Sequence, residues 1–161
     1  MSEMVEPTVS SFDEIKAWLE AYEECVNDLN YSRARDLFSG MARCYGIRVP
    51  MAVTIDEFQS KEWEKEWPFI DKFKWKYTHR IIFESDPGSK WFASAFLDWT
   101  AVGFDHNGKP YARNGRTDLV FIKPGGAPAK CYHLHMSLNP GVRHDSFGLD
   151  GKPEEVQDFR S

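Results

Sequence analysis

Residues 129–141, AKCYHLHMSLNPG, constrain the fold more than any other stretch. Read with the two-residue period of a strand, they place Cys131, His133, His135 and Ser137 on one face. Tyr132, Leu134, Met136 and Leu138 then fall on the other. A face with two imidazoles backed by a wholly apolar face is not that of an ordinary exposed strand. It predicts a strand with protein on both sides and a polar pocket on one of them. Helices earlier in the chain would close that pocket.

The 161 residues suit one domain with one core, taken as residues 11–141 between a loose arm at 1–10 and a polar arm at 142–161. Six Trp and twelve Phe fit a pocket for a flat or greasy ligand, and they fit a plain aromatic core equally well. The net charge of −5 and the lack of a basic cluster argue against nucleic acid as the main partner. The opening MSEMVEPTVSS has neither a basic start nor an apolar run, so it does not read as a signal peptide, and no run is apolar enough to span a membrane. Cys25, Cys44 and Cys131 are odd in number and widely spaced, which reads as reduced thiols in a cytoplasmic protein.

Along the chain, Ser11-Phe12-Asp13-Glu14 is a capping box. Phe12, Ile15, Leu19, Tyr22, Val26 and Leu29 follow as one apolar stripe, which turns the Tyr22 phenol toward the core. A short second helix spans Tyr31–Ser39 and ends at Gly40. Met41–Val53 reads as extended. A second capping box at Thr54–Glu57 opens a helix that stops near Pro68. Strands are expected at Phe73–Phe83, Trp91–Phe104 and Tyr111–Lys123, the last two joined by a turn at Asn107-Gly108. Trp91–Phe104 is apolar on both faces, which places it centrally or under another subunit. Three helices followed by a run of antiparallel strands is an α+β layout with the helices on one face of the sheet.

This order, ending in CYHLHMSLNP, resembles the nuclear transport factor two-like superfamily. Its members include SnoaL-like polyketide cyclases, ketosteroid isomerase, scytalone dehydratase and the association domain of calcium/calmodulin-dependent kinase. The resemblance covers roughly residues 11–141 and implies a cystatin-like α+β barrel, a strongly curved antiparallel sheet wrapped over three N-terminal helices into a cone with an apolar pocket. Set against ketosteroid isomerase, Tyr22 falls on the oxyanion-hole tyrosine and Asp118 on the oxyanion-hole aspartic acid that an apolar site keeps protonated. His135 falls on a pocket-lining aromatic. The general-base aspartate of that enzyme falls near Gly46, and Met41–Val53 contains no acidic residue, so a base would have to come from elsewhere.

Two readings stay open. In the first, the chain is a cofactor-independent isomerase, dehydratase or aldol-type cyclase acting on a small hydrophobic carbonyl compound, with no metal. Tyr22 and protonated Asp118 would stabilise an enolate oxygen, while Asp98, His79 or His133 would move the proton. Tyr45, Phe96, Thr100 and His135 would line the substrate site. Asp98 and Asp118 are equidistant from Gly108, so they are expected to approach as cross-strand partners; the alternative is two acids on a solvated face. His133 and His135 could pair with Asp118 as an oriented base, or simply be hydrogen-bonded within a sheet or a dimer interface. In the second reading the chain is a binding or assembly domain without catalysis. Either way a homodimer or larger homo-oligomer is expected, because the convex sheet face carries so many large apolar residues.

Overall fold

The computed structural model describes residues 11–84, 91–105, 107–123 and 127–142, with the backbone alone at 11 and 78–84. The expected arm at 1–10, nearly all of the arm from 142, the side chain of His79, His106 and the Pro124-Gly125-Gly126 turn lie outside the described residues.

Helix α1 spans Ser11–Asp28, and α2 spans only Tyr31–Asp36, because residues 38–40 already belong to strand β1 (Phe38–Tyr45). The third helical run is broken into four short pieces: α3 (Ile55–Phe58), a π-helical turn (Gln59–Trp63), α4 (Glu64–Glu66) and a 3-10 turn (Trp67–Phe69). Thr54 caps it, its Oγ1 accepting the Glu57 N–H at 3.1 Å. Strands β2 (Ile70–Glu84), β3 (Phe92–Phe104), β4 (Pro110–Ile122) and β5 (Lys130–Leu138) follow.

The five strands form one sheet in the order β1-β5-β4-β3-β2. Four of them meander antiparallel as expected; β1 joins β5 in parallel, which makes the sheet mixed. Helix α1 lies on the inner face. The Trp75 indole donates to the Leu19 carbonyl at 2.9 Å, and Asn27 exchanges two 2.9 Å hydrogen bonds with the Phe73 backbone. Glu14, expected to close a capping box, accepts the Ala129 N–H at 2.8 Å and pairs with Lys123 at 2.6 Å, pinning the helix start beside the end of β4 and the start of β5.

Alternation along β3 settles which face is inside. Ala93, Ala95, Leu97 and Trp99 are buried, whereas Phe92 and Phe96 are nearly half exposed. So the strand is not buried on both faces within one chain. The last strand also departs from simple alternation. The register with β4 slips between Val120 and Phe121, so that Tyr132 and His133 both face outward. Cys131 consequently joins Leu134 and Met136 in the core, not the histidine face. All three cysteines are buried thiols, and burial pushes the Cys44 thiol up to about 12.

Candidate functional site

The helical run after Thr54 delivers two carboxylates into the cone. Glu62 and Glu66 are 3% and 4% exposed. Glu62 Oε1 accepts the Ile47 N–H at 2.8 Å, and its Oε2 accepts those of Arg48 at 2.8 Å and Val49 at 3.3 Å. Its carboxyl lies so close to Gly46 that a Cβ there would stand 2.3 Å from it. Glu66 pairs with Arg48 and with Arg113 at 2.5 Å each, and Arg113 donates to the Tyr111 hydroxyl at 3.0 Å. Burial, then the neighbouring Glu66, pushes the Glu62 carboxyl up to about 7, outweighing the backbone N–H groups that favour the anion.

Tyr22 is 1% exposed in the same interior, stacked on Trp18 with ring centroids 5.3 Å apart. Burial pushes its phenol well up, so it stays protonated. Phe58, Trp63, Trp67, Phe73 and Trp99 fill the space around it, leaving a cavity of about 10 Å³. That is room for one water at most.

The outer face of the sheet carries a second cluster. His133 Nε2 and Asp118 Oδ2 are 3.2 Å apart, and His135 Nδ1 stands 3.7 Å from Asp118 Oδ1. The Tyr45 ring packs against both imidazoles, with centroids at 5.8 and 5.3 Å. The ladder explains the grouping: Asp118, His135 and Tyr45 are direct partners across β4, β5 and β1. A shallow groove of about 480 Å³ runs beside them, lined by Phe96, Asp98, Arg116, Asp118, His135 and Ser137. Thr100 lies further along the same face, opposite Asn114. Among the described residues no group of three or more His, Cys, Asp or Glu is arranged to hold a metal ion, and no helix is long and apolar enough to cross a membrane.

No known family profile and no curated protein matches the sequence. Solved structures do match. A candidate calcium/calmodulin-dependent protein kinase II association domain from Xanthomonas campestris aligns with a TM-score of 0.68 at 18% identity, over 84% of this chain and 93% of that one. A nuclear transport factor two-like superfamily protein from Salmonella enterica gives 0.62 at 18%, over 81% and 94%. A ketosteroid isomerase-like protein from Erwinia carotovora gives 0.63 at 12%, over 77% and 92%. The chain has the nuclear transport factor two-like fold.

Within this fold the expected site residues part company. Tyr22 belongs to the interior, while Asp98, Asp118, His133, His135, Tyr45, Phe96 and Thr100 belong to the outer sheet face. Tyr22 and Asp118 therefore do not converge on one oxygen, and Asp118 is 42% exposed at its side chain. Nor are the two aspartates opposite each other. The hairpin centres on residue 107, which pairs Asp98 with Arg116 and Phe96 with Asp118. His133 is within hydrogen-bond reach of Asp118 and His135 stands 3.7 Å from it, both on the outer face.

Glu62, Glu66, Arg48 and Arg113 were not among the expected site residues. Their signal is present in the sequence. Glu62 and Glu66 continue the four-residue spacing begun by Phe58, and Arg113 alternates with Gly115, Thr117, Leu119 and Phe121, all inward-facing. A charge on an apolar stripe marks a buried network.

Proposed function

We propose that this chain is a self-associating module in which two copies pack their outer sheet faces together, without catalysis in the cone. The observation that carries this reading is the contrast between the two faces. The interior is filled, down to a cavity of about 10 Å³. The outer face keeps Tyr45, Phe92, Phe96 and Tyr132 between 37% and 46% exposed. Covering what remains of each ring is worth roughly 1 kcal/mol, and an isologous contact gains every such term twice. Sedimentation or light scattering at micromolar concentration should find a dimer or larger homo-oligomer. Phe96→Glu should leave a folded monomer, checked by circular dichroism. A wild-type chain that stays monomeric overturns the proposal.

A second reading keeps the cone as a reaction chamber for an isomerase, dehydratase or cyclase working on a small hydrophobic carbonyl compound, which enters only when the aromatic side chains that fill the interior move apart. Glu62 favours it, because this carboxyl occupies the space over Gly46 where an acidic residue was missing, and it changes charge near neutrality. Here Tyr22 would donate to the carbonyl oxygen and Glu62 would take the α-proton. Asp118, Asp98 and His133 have no part in this version, being on the other face. Deuterium exchange α to the carbonyl of small cyclic ketones, lost in Glu62→Gln, is the expected result.

A further inference from the structure

The sheet has two unlike edges. At the β1 edge the chain closes on itself. Cys44 and Ala52 exchange backbone hydrogen bonds of 3.1 and 2.8 Å, and the Arg43 guanidinium donates to the carbonyls of Met41, Ala42 and Val53 at 3.0, 3.2 and 2.9 Å. At the β2 edge no further strand pairs among the described residues, and side chains of α1 stand in its place. Asn27 Oδ1 accepts the Phe73 N–H and Asn27 Nδ2 donates to the Phe73 carbonyl, so one amide reproduces both bonds of a strand neighbour. Glu23 Oε2 accepts the Trp75 N–H at 3.0 Å. The match is one of repeats: a helical turn rises about 5.4 Å, close to the roughly 6.6 Å of two strand residues. Glu23 meets residue 75 and Asn27 meets residue 73, so α1 runs along β2 as an antiparallel neighbour would.

The strand itself carries two further obstacles to pairing. Between the pairs Asp71–Val102 and Lys74–Thr100, Lys72 and Phe73 bulge opposite the single residue Ala101, with Lys72 at φ +54°. Lys72, Lys74 and Lys76 are all exposed along it.

We propose that Glu23 and Asn27 guard the rim of the sheet, occupying the backbone groups through which β2 of a second copy would pair antiparallel with β2 of the first. The partner follows from the geometry. The β1 edge is closed by its own loop, so the edge that loss of the α1 side chains opens is that of β2, and it meets its like. Setting Phe73 opposite Trp75 of the second copy matches the freed N–H and carbonyl groups, and it also sets Lys74 against Lys74 and Lys72 against Lys76. Like charges directly opposite repel, so the lysines form a second barrier against the same partner. Such a contact is isologous and closes after one step, without growing into a fibre. None of this rests on the association reading, which concerns the outer face; size is compared with the wild-type particle, whatever that particle is.

The experiment compares the full-length wild type with Glu23→Ala/Asn27→Ala by light scattering, at low salt and at about 1 M salt, where the screening length falls to about 3 Å. The variant should match the wild type at low salt and reach about twice its mass at high salt. Adding Lys74→Thr should bring the doubling to low salt. Amide exchange by NMR identifies the surface: Phe73 and Trp75 should lose protection in the undoubled variant and regain it in the doubled one. A variant that is folded by circular dichroism and keeps the wild-type mass at both salts overturns the proposal, as does growth that leaves these two amides unprotected. If the double alanine variant does not fold, Glu23→Ala/Asn27→Asp replaces it. That variant keeps an acceptor for the Phe73 N–H while freeing the Phe73 carbonyl and the Trp75 N–H, and doubling or constancy of mass decides in the same way.

Discussion

At the scale of single residues, two glycines show how tightly side chains are fitted across the sheet. A Cβ on Gly115 would stand 2.0 Å from the Ser137 carbonyl oxygen and 2.5 Å from the Trp99 indole. One obstacle is backbone and the other a fully buried ring, so neither can yield cheaply. Gly115→Ala should cost roughly 3 kcal/mol or more, measured by urea denaturation; a loss well below that would mean the Trp99 ring can tilt away. Gly46 is a different case, since what it leaves room for is the Glu62 carboxyl. Position 46 was legible in the sequence as a place lacking an acid. That an acid arrives there from sixteen residues further on was not, because spacing along a helix predicts which residues share a face but not which loop that face will meet.

At the scale of elements, the order of helices and strands could be read in advance, because each rests on a local period or cap. The Thr54 cap is one such signal. Thr54→Ala removes the acceptor for the Glu57 N–H and should lower thermal stability by about 1 kcal/mol, with little change in association. What local patterns could not supply was register. The β3–β4 hairpin centres one residue before Gly108, which shifts every cross-strand pair by two and gives Asp98 an arginine neighbour in place of an aspartate. The extra residue at Tyr132 moves Cys131 to the core side while leaving the two histidines together outside. A bulge changes facing without changing composition, so alternation alone misassigns one end of the strand. For the same reason the face of His133 and His135 was legible as polar, but not as the outer one.

At the scale of the whole molecule, ionisation and folding are coupled through Glu62. Its carboxyl is raised in the folded chain from 4.5 to about 7, so the folded state binds a proton that the unfolded chain has already lost. Stability relative to Glu62→Gln should be greatest in acid, decline as pH rises from 4.5 toward 7 and stay level above. The full span is on the order of 3 kcal/mol, checked by denaturation of both proteins across that range. The strand order has a consequence of another kind. Among the described strands β1 pairs only with β5, apart from a single local bridge between Cys44 and Ala52, so residues 38–45 find their strand partners near the far end of the domain, at 131–135. A ribosome adding roughly 5–20 residues per second exposes β1 for several seconds before its partner exists. During that time β1 lacks its strand partner, and for the last part of it β4 also waits with an open edge. The nascent chain therefore completes its sheet late, in one closing step, and a message truncated before β5 would yield a product with two strands ready to join the wrong neighbour.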